Sequence, residues 1–237
     1  MPLLKVDIQK AGYEKKKTII ENIHFDVKKG ELIGLIGPNG AGKSTTIKSI
    51  LGLIENKEGT ISFQEGIKYS YIPEKPLFYD ELTLWEHLDF IAAVEKLQQN
   101  EYKTYAHELL KMYKLYDHAN EFPITYSKGM QQKAMLILSF IIQPEVYIID
   151  EPFIGLDPNA MRLFLTTIEK ERLRGAGILM STHVLDTAEK VCDRFILLVK
   201  GRIAAFGTLD EIREQCKLSE GSLFDCYHKL AEDHEDE

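Results

Sequence analysis

Gly37-Pro38-Asn39-Gly40-Ala41-Gly42-Lys43-Ser44-Thr45 is the stretch whose reading decides the fold. An apolar run, Leu32 to Ile36, precedes it and a segment of helical character ending near Leu53 follows, so the order is strand, glycine-rich turn, helix. Gly37, then four residues, then Gly42-Lys43-Ser44 satisfies the phosphate-binding loop pattern in the strand-to-helix context that it requires. Glycines let consecutive backbone N–H groups curl round an anion, and the following helix points its positive dipole end at the same place. Lys43 adds a mobile charge for β and γ phosphates, and the Ser44 hydroxyl is a hard oxygen donor for Mg²⁺. The alternative, a glycine-rich turn with a chance lysine, is disfavoured by the complete pattern.

Working outward, Val146 to Pro152 reads as a buried strand ending in two carboxylates, Asp150 and Glu151. Such pairs are commonly solvated caps. After a complete phosphate loop they acquire chemistry: Asp150 to support Mg²⁺ held by Ser44, Glu151 to polarise the attacking water. Ile178 to Ser181 is a further strand with Thr182-His183 at its end, which puts His183 on the same sheet edge as Glu151, within reach of a γ-phosphate. Between these, Ser127 is an N-cap candidate for an apolar helix running to about Gln143 before Pro144. Its start is either a second anion site or an ordinary capped helix.

Composition narrows the class. The 237 residues, 44% hydrophobic and 28% charged, provide a core for a single domain with a sub-lobe. A net charge of −8 argues against a nucleic-acid partner. No apolar run reaches the roughly 18 residues of a membrane span, and no signal-peptide pattern opens the chain. Cys192, Cys216 and Cys226 have neither disulfide-framework nor zinc spacing, in keeping with a reducing cytosol.

Before the loop, Leu3 to Gln9, Thr18 to Ile23 and Phe25 to Val27 read as an antiparallel β layer, with Lys15 to Lys17 in a hairpin turn. Tyr13 either stacks an adenine ring or packs at a strand end. After the loop, Gly59 to Phe63 and Lys68 to Ile72 read as strands, and Pro73-Glu74-Lys75-Pro76 as an extended joint. The period is helical from Thr83 to about Tyr116, with Thr83 and Glu86 in a capping box. This defines an inserted helical sub-lobe over about residues 76–143. The aromatics flanking the joint, Tyr71, Phe78, Tyr79, Trp85 and Phe90, are read as core rather than docking surface. Gly155 to Pro158 turns into a helix from about Asn159 to Arg174, Phe195 to Val199 and Arg202 to Phe206 form a closing hairpin, and residues 208–237 hold a short helical segment and an acidic tail. The fold class is α/β: a P-loop core with a mainly parallel sheet, an N-terminal antiparallel layer and the helical insertion.

Taken together, the loop, the Ser127 helix start, Asp150-Glu151, Gly155-Leu156-Asp157 and His183 resemble, in order and spacing, the ATP-binding cassette (ABC) family over nearly the whole chain. The resemblance implies that Gly37 to Thr45 (Gly37, Pro38, Asn39, Gly40, Ala41, Gly42, Lys43, Ser44, Thr45) is the Walker A loop. Ile148 to Glu151 is then the end of Walker B, Tyr126 to Met130 the signature, Gly155 to Asp157 the D-loop, His183 the switch histidine and Tyr13 the adenine-stacking residue. It implies ATP and Mg²⁺, with Glu151 and His183 catalytic, Ser127 and Gly129 contacting phosphate, and Ser44, Asp150 and Glu74 around the metal. Two departures stand out. The family signature is usually Leu-Ser-Gly-Gly-Gln, whereas Tyr126, Lys128 and Met130 replace three positions here. The joint usually carries Gln where this chain has Glu74. These features look like bacterial exporter-type cassettes of the Ecs type. The expected partners are a second cassette, head to tail, and a separate integral membrane permease, which would hold the chain at the cytoplasmic face of the cell membrane. The rivals are a soluble cassette ATPase on ribosomes or DNA, disfavoured by a single cassette and acidic charge, and a P-loop kinase or GTPase, which needs no signature helix. At Asn56-Lys57-Glu58-Gly59 the GTPase base reader lacks its Asp.

Overall fold

In chain order, the computed structural model contains β1 (Leu4–Gly12), β2 (Ile20–Val27), β3 (Leu32–Ile36), α1 (Lys43–Ile50), β4 (Asn56–Phe63) and β5 (Tyr69–Ile72). There follow α2 (Leu84–Val94), α3 (Gln99–Met112), α4 (Lys128–Phe140), β6 (Val146–Asp150), α5 (Pro158–Arg174) and β7 (Gly177–Thr182). The chain closes with α6 (Leu185–Val191), β8 (Arg194–Val199), β9 (Arg202–Gly207), α7 (Leu209–Gln215) and α8 (Leu223–Asp233). Residues 1–14 and 17–233 are described; Lys15 and Lys16 of the lysine turn and residues 234–237 of the acidic tail lie outside them.

Apolar–polar alternation makes β1, β2 and β4 a half-buried antiparallel layer in the order β2-β1-β4. β3, β6 and β7, each built on an apolar run, are buried throughout, as strands covered on both faces are. They form the centre of the main sheet, ordered β5-β6-β7-β3-β8-β9, parallel except for the β8–β9 hairpin. Successive residues of β6 and β7 separate the two cores. Tyr147, Ile149, Ile178 and Met180 face the helical side with α4 and α5, while Val146, Ile148 and Leu179 face α1 and the antiparallel layer. A third, smaller core under α6, α7 and α8 includes Ile36, Phe195 and Leu197.

Arg174 and Tyr147 secure the helical side. The carboxylate of Glu171, almost fully buried on α5, accepts from Tyr147 Oη at 3.1 Å and Arg174 Nε at 2.8 Å. Burial, with the Glu171 charge behind it, pushes the Tyr147 phenol well above its ordinary pKa. At the other end of α5, Asp157 is the N-cap, accepting from Ala160 N at 2.8 Å.

Three expectations are corrected. The helical stretch from Thr83 to Tyr116 is two helices, because Lys96 adopts φ 55° and Leu97 N donates back to Ala92 O at 2.9 Å, closing α2. α4 ends at Phe140 rather than Gln143: Gln143, held out of the helical region by Pro144, has φ 47°. Tyr79 and Phe90 are exposed aromatics and not core; Phe78 and Trp85 pack against the core only in part. The capping box is as read: Thr83 Oγ1 accepts from Glu86 N and Glu86 accepts from Thr83 N.

Candidate nucleotide site

The C-terminal ends of β3, β6 and β7 lie side by side, where open α/β sheets bind ligands. From β3 the chain enters the glycine loop. A Cβ on Gly37 would stand 2.8 Å from Leu198 O, so only glycine lets the loop leave the sheet here. Gly42 is the N-cap of α1 at φ 108°, and no side chain caps the helix. The first N–H groups of α1 are therefore left for an anion. Lys43, 5% exposed, curls back across the loop, donating from Nζ to Gly37 O at 2.7 Å and Pro38 O at 3.4 Å.

Lys43 Nζ also lies 3.1 Å from Glu151 Oε1, without hydrogen-bond alignment at that oxygen, so the contact is purely ionic. The other carboxylate oxygen, Oε2, is 2.9 Å from His183 Nδ1. His183 thus lies at the same sheet edge as Glu151, where the order of elements puts it, and Lys43 meets the same carboxylate. Glu151 holds φ 49°, an uncommon conformation for a residue with a Cβ, at the place where the chain turns off β6. Its N–H donates to both Ser181 O at 3.2 Å and Ser181 Oγ at 3.1 Å, which fixes the turn.

Ser181 is the residue that sequence reasoning passed over. It pairs with Asp150 in the β6–β7 register, and its Oγ donates to Asp150 Oδ1 at 2.5 Å. The available signal was a hydroxyl near the end of the strand that leads into His183. Asp150 is buried at the sheet edge, and Ser44 opens the first turn of α1, half-buried. A hydroxyl and an oriented carboxylate are the hard oxygen donors that suit Mg²⁺ beside phosphates.

Glu74 is exposed on the joint. Its neighbour Tyr71 has its phenol pushed up to about 12 by burial first, then by the charges of Asp150 and Glu74. Tyr13 is 55% exposed, not packed at a strand end, and Lys48 Nζ stands 5.5 Å from its ring centre. Pro38, Asn39 and Gly40 form the exposed rim of the loop, Ala41 and Thr45 its buried wall.

Ser127 and Gly129 are elsewhere. Ser127 caps α4, accepting from Met130 N at 3.3 Å, and is exposed together with Lys128. Among the described residues no hydrogen bond joins residues 127–130 to 37–45. The departures in this motif divide cleanly. Tyr126 is buried with its hydroxyl donating to His118 O at 2.5 Å, and Met130 packs on the helical core, so both anchor the turn, whereas Lys128 points outward. The turn after Glu151 is close by: a Cβ on Gly129 would be in van der Waals contact with Gly155 O at 3.6 Å.

Comparison with known proteins decides the family. The sequence profile described as ABC transporter matches residues 20–154. An uncharacterized ABC transporter ATP-binding protein of Bacillus subtilis (strain 168), YthP, is 49% identical over 230 residues, 97% of each chain. The chain belongs to the ABC transporter family, as an ATP-binding subunit. The ABC-type transporter ATP-binding protein EcsA of the same organism is 41% identical, with 98% of each chain covered. A solved structure described as the ATP binding subunit of an ABC transporter superposes with a TM-score of 0.91 at 44% identity, covering 96% of this chain and 99% of the other. A nucleotide-free cassette at 21% identity and a TM-score of 0.74 shares the fold. Membership makes this cassette an ATPase coupled to transport.

Proposed function

We propose that this cassette hydrolyses ATP as one half of a two-copy sandwich and thereby drives a separate membrane permease in the export direction. The observation that carries the reading is the convergence of Lys43, Glu151 and His183 at one sheet edge while the Ser127 helix start stands exposed and apart. Such a helix start serves a nucleotide only when a second copy faces it. The loop would cradle the phosphates, Lys43 leaving Glu151 to meet them, and Tyr13 would stack the base. Glu151 then accepts the proton of the attacking water, and His183 steadies the γ-phosphate. Ser44 and Asp150 would hold Mg²⁺, which when bound offsets phosphate charge, with Glu74 near the joint as a further carboxylate; Ser181 keeps Asp150 aimed.

The permease docks, in this reading, on the groove between the joint and the helical sub-lobe of residues 76–143. A cavity of about 520 Å³ lies there, lined by Leu77, Phe78, Tyr79, Phe90 and Leu138 among others. Leu77 is 80% exposed, and a cluster of exposed large apolar side chains is unusual on a face without a partner. No helix among the described residues is long and apolar enough to cross a membrane, so the translocation path would belong to that partner, and the cassette would sit at the cytoplasmic face through it. The kinship with EcsA, described as an ABC-type transporter ATP-binding protein, supports the reading as a transporter's ATP-binding subunit. Affinity capture of the full chain from detergent-solubilised membranes tests the proposal. A polytopic membrane protein retained through the Leu77–Phe90 groove is expected; a ribosomal or DNA-bound catch contradicts it.

A further inference from the structure

One deeply buried histidine takes no part in the chemistry of the sheet edge. His87, 4% exposed near the start of α2, lines the cavity between the joint and the helical sub-lobe. Both of its ring nitrogens are engaged. Nε2 lies 2.9 Å from Tyr79 N, and Nδ1 lies 2.8 Å from Thr83 O. A backbone N–H can only donate and a carbonyl can only accept, so the tautomer follows: Nε2 is the bare acceptor, and Nδ1 carries the proton that it donates to Thr83 O. While both bonds hold, His87 is neutral.

The two bonds do different work. Thr83 O already accepts from His87 N at 3.0 Å in the first turn of the helix, so the Nδ1 bond serves to orient the ring. The Nε2 bond reaches off the helix to residues 73–83, which form neither helix nor strand and carry the rim of the groove. A main-chain N–H in such a segment has no ladder to join, and here an imidazole nitrogen supplies its acceptor. The rings add to the grip. That of His87 is stacked on Tyr79 with centres 6.0 Å apart and stands edge-on to Phe78 at 5.6 Å. Tyr79 in turn meets Phe90 at 5.5 Å, so one histidine holds the exposed aromatic pair that borders the groove.

An imidazolium carries N–H at both nitrogens. A proton on Nε2 would aim a donor at the Tyr79 N–H, and in so dry a site neither donor finds water in place. The Thr83 side of the ring keeps its bond, so the rim is the part that yields. We propose that His87 is a proton-operated latch on the docking groove: neutral, it holds the Tyr79 rim in the shape that receives the permease; protonated, it releases the rim and weakens docking. The other groups around the ring leave this role to it. Glu86, the adjoining carboxylate on α2, is held by Thr83 N and Thr83 Oγ1, each at 2.8 Å. β5 and the rim bring the phenols of Tyr69, Tyr71 and Tyr79 to the cavity, and the polar group from α4 is the Ser139 hydroxyl. The inference rests on the permease-docking reading above and adds to it a pH dependence set by this chain.

NMR of the full-length chain is the test, with histidine ring nitrogens and the Tyr79 amide followed together from about pH 8 to 5, the span in which imidazoles titrate. At the upper end His87 is expected as the Nδ1–H tautomer with a high protection factor at Tyr79 N, and that protection should fall with the same midpoint as the ring titrates. His87→Gln keeps an acceptor for Tyr79 N but cannot titrate. It identifies the His87 signals among the seven histidines by their loss and should hold Tyr79 protected throughout. His87→Ala should leave Tyr79 unprotected at every pH, and ATP binding by equilibrium dialysis, unchanged in both variants, shows that they are folded. One pH unit below the midpoint about a tenth of the rings stay neutral, so the apparent affinity for the polytopic protein captured from detergent-solubilised membranes should drop about tenfold for the unaltered chain and not for His87→Gln. Protection at Tyr79 that survives the His87 titration, or a loss that persists in His87→Gln, overturns the latch and leaves the docking reading intact. Equal affinities of the two chains at the lower pH overturn the link from latch to docking. A chain that retains no membrane protein even at the upper pH overturns the docking reading itself.

Discussion

The sheet edge and the outer face of the helical side handle their polar and apolar groups in opposite ways. At the edge, Lys43, Glu151, His183, Asp150 and Ser181 answer one another within 2.5 to 3.1 Å. On the helical side, Ser127, Lys128, Leu77, Tyr79 and Phe90 are exposed, and beyond local contacts such as Met130 N on Ser127 and the Tyr79–Phe90 ring pair they face solvent. The contrast separates what a single copy can prepare alone from what needs a second molecule. Changes at the edge should therefore alter the chain itself, and changes on the face should alter its associations.

The largest effect is expected at Glu151. Glu151→Gln removes the proposed base and the charge that Lys43 and His183 share, and should lower hydrolysis by about 10²-fold or more while ATP binding persists. Steady-state turnover beside equilibrium binding checks both halves, and undiminished turnover would mean that the edge is not catalytic. Next comes Glu171→Ala, which leaves Arg174 and the Tyr147 hydroxyl without their buried partner. A loss of about 3 kcal/mol in urea unfolding is expected, reduced from the fully buried case because Arg174 is partly exposed. Thr83→Ala should cost about 1 kcal/mol through the lost cap of α2. Phe90→Ala sharpens the contrast from the other side: stability should stay within about 0.5 kcal/mol, while recovery of the membrane partner falls. A stability loss matching that of a core residue would place Phe90 inside the fold's own packing.

The smallest effect concerns acid. Donation from Ala160 N, and then Lys133, hold the Asp157 carboxyl below its ordinary value of 3.8. Its stabilising contribution is thus present above that value and lost as pH falls through the lower folded one. Asp157→Ala should slightly flatten the decline of stability below pH 3.8, measured by chemical denaturation at stepped pH. An unchanged acid limb would count against the cap as the cause.

Much of this contrast is legible in the sequence. Leu32 to Ile36 and Val146 to Ile149 are apolar without a break, as strands covered on both faces are, and the residues that follow them are among those that converge. What the sequence hides is which aromatics stay dry. Tyr79, in the segment before α2, and Phe90, on α2, are aromatic like the neighbouring core residues, and only their place in the tertiary packing leaves them exposed. Ser181 was hidden for a different reason. Its role depends on register across two strands distant in sequence, and a lone serine at a strand end has no pattern of its own.

The central claim is that one copy holds half of each nucleotide site. Lys43→Ala and Gly129→Asp chains, each expected to be inactive alone, can be mixed and assayed for ATP hydrolysis. The account predicts that activity returns on mixing, because a mixed pair keeps one site with an intact loop from one chain and an intact helix start from the other. Two inactive chains that remain inactive together, while both still bind each other, would contradict it.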